Sequence, residues 1–144
     1  MTTEEKKQKT SEALTAFFAN AAANGGPDVS RRVYDCPLME GDVVTFKVTD
    51  EQSASDLLKF NDNNGVKFYA IVAADGREVS TTSLIGRKNN GVDVDGDTTA
   101  ERIANFLDLI DERGEISLKV AKLRVLPSTR ADFNAQRIIT WAEA

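Results

Sequence analysis

The chain has 144 residues, of which 41% are apolar and 28% charged, and its net charge is −5. These values are typical of one globular domain rather than a disordered chain. The chain has no histidine, which excludes Ser-His-Asp and Cys-His catalysis and mixed Cys/His zinc sites. Cys36 is the only cysteine; it cannot form an internal disulfide, and we expect it to pack inside the protein. We therefore expect a protein that is not an enzyme and needs no cofactor.

No apolar run approaches the roughly 20 residues that a membrane span needs. The first ten residues are polar and lack the apolar core of a cleavable signal peptide. We therefore expect an intracellular, cytoplasmic protein, or one inside a virus particle, with no membrane partner.

The N-terminal segment predicts a helix. Thr2 and Glu5 have the spacing of a capping box, and an Asn-Gly-Gly-Pro sequence at 24–27 ends the pattern. The first ten residues carry no apolar stripe, so we expect that half of the helix to be uncovered. We predict a helical appendage over 1–26 that attaches to a neighbour, and a β-rich domain over 27–144. The apolar stripe of the helix comprises Leu14, Phe17, Phe18 and Ala21.

Strand signals follow this break. Apolar and polar residues alternate over 43–48, which predicts a half-buried strand, and the Glu-Gly-Asp sequence at 40–42 is typical of a turn. The segment 53–60 fits either a short helix or a strand. Asn-Gly at 64–65 marks a turn into the next strand.

Asp75 and Gly76 predict the turn of a β-hairpin between two strand-like arms, because these residues tolerate the positive φ angles that a two-residue loop needs. Such a loop places Val72 opposite Val79. The further expected pairs are Ala70 with Thr81, Phe68 with Ser83, Ile71 with Ser80, and Tyr69 with Thr82.

A second helix is predicted over 98–113, because Thr98 and Glu101 form another capping box and Gly114 suits the position after its end. Its apolar stripe comprises Ile103, Phe106, Leu107 and Ile110. A strand is predicted over 117–126, and its apolar residues move from even to odd positions after Val120. This change in alternation predicts a β-bulge or a strand buried on both sides. A last strand is predicted over 136–141.

This order of elements predicts an α+β fold, mainly β. We expect a small curled antiparallel sheet or a partly open barrel, with an N-terminal helix and one inserted helix. The order resembles that of an oligonucleotide-binding-like (OB-like) barrel, which often carries a helix between its third and fourth strands. The likeness is one of architecture and carries no functional motif.

No metal or phosphate motif is complete. Asp93, Asp95 and Asp97 have the spacing of a calcium loop, but Thr98 stands where the loop needs glycine and Ala104 where it needs glutamate. We therefore predict that this loop does not bind calcium. The chain also lacks a P-loop and a dinucleotide-binding glycine motif.

Charge is uneven along the chain. Seven acidic residues and one arginine lie in 91–112, whereas five basic and three acidic residues lie in 115–144. The net charge opposes binding to polyanions, but a locally basic face is compatible with it. Strand aromatics near basic residues are candidates for stacking nucleic-acid bases, although such aromatics are usually part of a core.

The sequence favours a non-enzymatic binding or assembly protein that uses a sheet face, a basic loop and its N-terminal helix against a macromolecular partner. We expect a protein partner or a homo-oligomer, including a subunit role in a larger assembly such as a virion. The alternative is an OB-like protein that binds single-stranded nucleic acid. The predicted partner-binding residues are Phe17, Phe18, Tyr69, Arg77, Arg87, Lys88, Lys119, Arg124 and Trp141.

Overall fold

A computed structural model describes residues 1–23, 38–63, 66–85, 91–92, 94–126 and 136–144. It confirms the fold class, since an N-terminal helix and an inserted helix accompany two antiparallel sheets of three strands each. The described strands do not close into a barrel. In chain order the elements are helix α1 (Thr3–Ala23), strand β1 (Val43–Lys47), a 3-10 helix (Ala54–Leu57), strands β2 (Leu58–Asn63), β3 (Val66–Val72) and β4 (Glu78–Ser80), helices α2 (Thr81–Ile85) and α3 (Thr99–Arg113), and strands β5 (Glu115–Leu126) and β6 (Gln136–Glu143).

The strands form two sheets that meet at one edge. Sheet A has the order β1-β5-β6, and sheet B has the order β2-β3-β4. The Ala74 N–H, at the tip of the β3-β4 hairpin, donates to the Thr45 carbonyl of β1 over 2.8 Å, and the Arg77 guanidinium donates to the Val43 carbonyl over 2.7 Å. The hairpin tip therefore provides hydrogen-bond donors for two backbone carbonyls on the outer edge of β1, and these bonds hold the sheets together.

Helix α3 has the predicted N-cap residue and C-terminal glycine, but its capping box is incomplete, because Glu101 Oε2 accepts the Asp97 N–H over 2.9 Å and not the Thr98 N–H. The Glu101 N–H donates to Thr98 Oγ1 over 3.1 Å at its start, and Gly114 has a φ of +78° just past its end. The predicted apolar stripe is fully buried against β5 and the 3-10 helix. The ring of Phe106 meets that of Phe46 edge-on, with centroids 5.7 Å apart. The inserted helix therefore covers the core face of sheet A.

Helix α1 also begins with its predicted capping box, as the Glu5 N–H donates to Thr2 Oγ1 over 3.2 Å. The expectation that its first half is uncovered is wrong. Thr10 is fully buried, and its hydroxyl donates to Asp111 Oδ2 over 2.6 Å; Lys6 Nζ donates to the Thr49 carbonyl over 2.9 Å. Polar contacts produce no apolar stripe, which is why the sequence pattern does not reveal this docking. The predicted break at 24–27, and with it the boundary between 1–26 and 27–144, lies outside the described residues.

The β3-β4 hairpin turns at Asp75-Gly76 as predicted, but its register differs by one residue. Val79 pairs with Ile71 rather than with Val72. The loop has three residues, because the Ala73 N–H donates to the Arg77 carbonyl over 2.8 Å. Its last residue, Gly76, has a φ of +91°, as such a loop needs.

The second hairpin arm is shorter than predicted. Strand β4 ends at Ser80, and helix α2 follows, so the expected pairs of Ile71 with Ser80, Ala70 with Thr81, Tyr69 with Thr82 and Phe68 with Ser83 are all wrong. A strand would point the consecutive residues Leu84 and Ile85 to opposite faces. The helix buries both of them completely, so packing overrides the strand pattern.

Two ambiguities of the sequence are resolved. The segment 53–60 contains both expected elements, the 3-10 helix and then the start of β2. The predicted bulge in β5 is confirmed, because Val120 pairs with Trp141 whereas Lys122 pairs with Thr140. Beyond the bulge β5 runs past the end of β1, and Glu40 Oε1 accepts the Leu123 N–H there over 2.9 Å.

Candidate functional site

Three of the predicted partner-binding residues, Phe17, Phe18 and Tyr69, lie together with Phe60 in an aromatic cluster. Phe60 and Tyr69 are directly opposite on β2 and β3, and the two phenylalanines of α1 cover them. Ring centroids lie 5.2 Å apart for Phe17 and Tyr69 and 5.5 Å apart for Phe18 and Tyr69. All four side chains are half-buried, and burial raises the pKa of the Tyr69 phenol. The cluster therefore presents part of each ring to solvent.

The second half of α1 adjoins this aromatic cluster and carries no charge. No Asp, Glu, Lys or Arg occurs from Ala13 to Ala23. The exposed side chains on this part of the helix are small or uncharged. Depletion of charge is characteristic of the centre of protein–protein interfaces. The exposed members are Thr15, Ala16, Ala19, Asn20, Ala22 and Ala23.

A groove of about 240 Å³ separates α1 from α3 beside the aromatic cluster. It is mostly apolar, and Asp108 is its only ionisable member. Burial, with smaller contributions from Asp111 and Glu112, raises the pKa of the Asp108 carboxyl. The lining residues are Ser11, Leu14, Thr15, Phe18, Ala104 and Asp108.

Asp108→Asn is expected to stabilise the protein at pH 7. Because the folded-state pKa is raised, the ionised carboxyl opposes folding, and the wild type loses stability as pH rises through that pKa. The gain should stay below about 1 kcal/mol, since solvent screens this partly exposed group. Urea unfolding between pH 7 and about pH 4 should show the gain shrinking as pH falls toward the ordinary carboxyl value of 3.8. An equal gain at every pH would contradict this cause.

Lys119 and Arg124 lie on the solvent-facing side of sheet A. We call this side the basic face; its cations among the described side chains are Lys47, Lys119, Lys122 and Arg124, and all four are exposed. Val43 and Ile138 lie among them as apolar neighbours. A hydrogen bond of 2.8 Å between the Thr45 and Ser117 hydroxyls crosses the same face. The basic face and the aromatic cluster are thus on different sheets.

Two predicted partner-binding residues make structural contacts within the chain. Trp141 is only 2% exposed, and its indole N–H donates to the Ser83 carbonyl over 3.0 Å, so it belongs to the core. Besides Val43, Arg77 contacts Asp75 at 2.7 Å and Asp42 at 3.7 Å, and its backbone N–H is the main cause that lowers the pKa of Asp75. Arg77 therefore secures the hairpin tip.

The basic loop with Arg87 and Lys88 lies outside the described residues, as does Asp93. The described part of the loop that carries Asp95 and Asp97 is hydrogen-bonded to α3. The Asn105 side chain donates to the Asp95 carbonyl over 2.7 Å, and the Arg102 side chain donates to the Gly96 carbonyl over 3.1 Å. The residues that the structure describes contain no group of three or more acidic or cysteine side chains placed to hold a metal ion.

No protein-family model matches this chain, and neither curated proteins nor solved structures include a match to it. Among the helices of the described residues, none has the length and apolar character needed to cross a bilayer.

Proposed function

We propose that this chain is a non-enzymatic binding and assembly protein that associates with a second copy of itself through the second half of α1 and the aromatic cluster. It acts inside the cell or in a virus particle, as a subunit of a larger assembly. The observation that carries this proposal is the uncharged, exposed surface of α1 beside four half-buried aromatic rings.

The composition of this surface supports a protein partner. Aromatic side chains supply large contact areas with few rotatable bonds, and they are enriched where interfaces are tightest. Alanines let a neighbouring backbone approach closely and lose almost no side-chain entropy on association. A surface of this kind favours contact with another protein over contact with solvent.

The chemistry of the chain favours binding over catalysis. It has no histidine, and its only cysteine is Cys36. In the described part, the ionisable groups with shifted pKa values are Tyr69, Asp75, Glu78 and Asp108. Hydrogen bonds lower the pKa values of Asp75 and Glu78, and burial is the main cause that raises those of Tyr69 and Asp108, so each shift has a structural cause.

A charge placed in the uncharged part of α1 should weaken self-association. Ala19→Glu introduces a carboxylate at an exposed position, so the fold should tolerate it, whereas an interface must desolvate it. We expect the dissociation constant of the oligomer to rise at least tenfold, about 1.4 kcal/mol. Sedimentation equilibrium of the full chain over a range of protein concentrations measures this constant.

Ala100→Glu is the matched control, because Ala100 is also an exposed alanine on a helix and lies on α3. It should leave association unchanged. A wild-type chain that stays monomeric at every concentration would contradict the proposal, and so would equal effects of the two variants.

The alternative function, single-stranded nucleic-acid binding by base stacking, needs exposed aromatics flanked by cations. Here the aromatic cluster lies on α1 and sheet B, whereas the four cations of the basic face lie on sheet A. This separation disfavours stacking, but the basic face is itself suited to a polyanion.

A further inference from the structure

The bulge in β5 decides which side of sheet A its cations occupy. In a regular strand Lys119 and Lys122 would point to opposite faces, because side chains alternate. The extra residue Ala121 resets this alternation, so that Lys122 pairs with exposed Thr140 and Leu123 pairs with buried Ile139. The bulge thereby brings Lys119, Lys122 and Arg124 to one face.

The cations of the basic face are free to meet a ligand. All four are exposed, and none makes an ion pair or a side-chain hydrogen bond within the described part of the chain. By contrast, Arg77 and Lys59 are paired with carboxylates. Acidic residues near the face include Glu115, opposite Lys47, Glu143, opposite Leu118, and Glu40, which accepts the Leu123 N–H. A cationic surface therefore persists on a chain with a net charge of −5.

We propose that the basic face binds the phosphate backbone of single-stranded nucleic acid. Charge complementarity selects an anionic ligand, and three of the four cations form a row along β5, the central strand of sheet A. From Lys119 to Arg124 this row extends about 13 Å. A regular row of point charges suits a polymer with one negative charge per nucleotide.

The arrangement of the cations favours one strand over a duplex. Three of the four lie in one row along β5, whereas the two backbones of B-DNA flank a major groove about 12 Å wide. The single row of cations on β5 therefore serves one backbone. The described side chains on this face include no aromatic residue, so binding is through phosphate contacts and independent of base sequence.

Phosphate contacts predict a particular dependence on salt. For single strands the slope of log K against log[salt] is about −0.7 per phosphate neutralised, so four contacts give about −2.8. Affinity should then fall about 50-fold between about 50 and about 200 mM salt. Fluorescence anisotropy of a labelled oligothymidine with the full-length chain measures this slope.

The double variant Lys122→Gln, Arg124→Gln removes two of the four cations and should halve the slope to about −1.4. The control Lys9→Gln, Arg113→Gln makes the same change of charge at exposed positions on α1 and α3 and should keep the wild-type slope. Circular dichroism of each variant checks that the fold is retained.

Three results would overturn the proposal: absence of binding at about 50 mM salt, equal slopes for the two double variants, or equal competition by duplex DNA or by polyglutamate. This proposal does not depend on self-association. The Ala19→Glu variant should bind the oligonucleotide with the wild-type salt slope, and the Lys122→Gln, Arg124→Gln variant should associate as the wild type does. These two variants therefore distinguish a failure of the self-association proposal from a failure of the nucleic-acid-binding proposal.

Discussion

Replacing Asp111 with alanine is expected to lower the free energy of unfolding by about 3 kcal/mol. The Asp111 side chain is 3% exposed and accepts hydrogen bonds from Thr10 Oγ1 at 2.6 Å and from the Ala54 N–H at 2.7 Å. It therefore joins α3 to α1 and to the 3-10 helix. Alanine leaves both donors buried without this acceptor, and each such group costs about 1–3 kcal/mol. Urea unfolding at pH 7 measures the loss.

Two variants separate this cause from a general effect of altering α3. Asp111→Asn keeps the shape and an acceptor oxygen for Ala54, and its amide can donate to the Thr10 hydroxyl, so its loss should be less than half as large. Glu112→Ala removes only the exposed ion pair with Lys7 and should cost less than about 1 kcal/mol. If Asp111→Ala proves as mild as Glu112→Ala, the polar junction does not hold α1 in place.

Among the five glycines that the structure describes, Gly91→Ala is expected to be the most damaging substitution, with a loss of more than about 3 kcal/mol in unfolding free energy. Gly91 has a φ of +93°, and a Cβ atom there would overlap the Trp141 carbonyl oxygen of β6. That oxygen belongs to backbone in a sheet, so it cannot rotate away as a side chain can. Either the loop or β6 must shift.

Gly76→Ala is the matched control. Its φ of +91° is nearly the same, but a Cβ atom there meets nothing within 4 Å. It should therefore cost only about 1 kcal/mol, the penalty for the left-handed backbone conformation. The difference between the two midpoints of thermal unfolding isolates the close approach to Trp141, and equal losses would show that close approach does not contribute.

The local signals of the sequence predict most of the secondary structure. The capping box at Thr2, the N-cap residue Thr98, the C-terminal Gly114 and the phase slip at Val120 all correspond to observed features, because each depends on residues close together in the chain. The hairpin register and helix α2 are not predicted, because the burial of Ile71, Leu84 and Ile85 decides them. Burial depends on contacts between distant segments, which a local pattern does not contain.

The candidate surfaces are only partly predictable for the same reason. Phe60 is absent from the sequence prediction, although a two-residue turn at 64–65 would already place it opposite Tyr69. The sequence also cannot distinguish buried Trp141 from half-buried Tyr69, since both are strand aromatics. The contact of α1 with α3 through Thr10 and Asp111 is polar, so it leaves no repeating apolar pattern in the sequence.

The hydrogen bond between Glu40 and Leu123 affects how molecules of this protein can meet. Beyond the end of β1, one edge of β5 has no neighbouring strand among the described elements, and such an edge can recruit a foreign strand and begin fibrous aggregation. Glu40 occupies the first N–H that an incoming strand would need. Charged side chains at Lys122 and Arg124 further disfavour stacking of identical edges. The protein can therefore reach high local concentrations without polymerising through this edge.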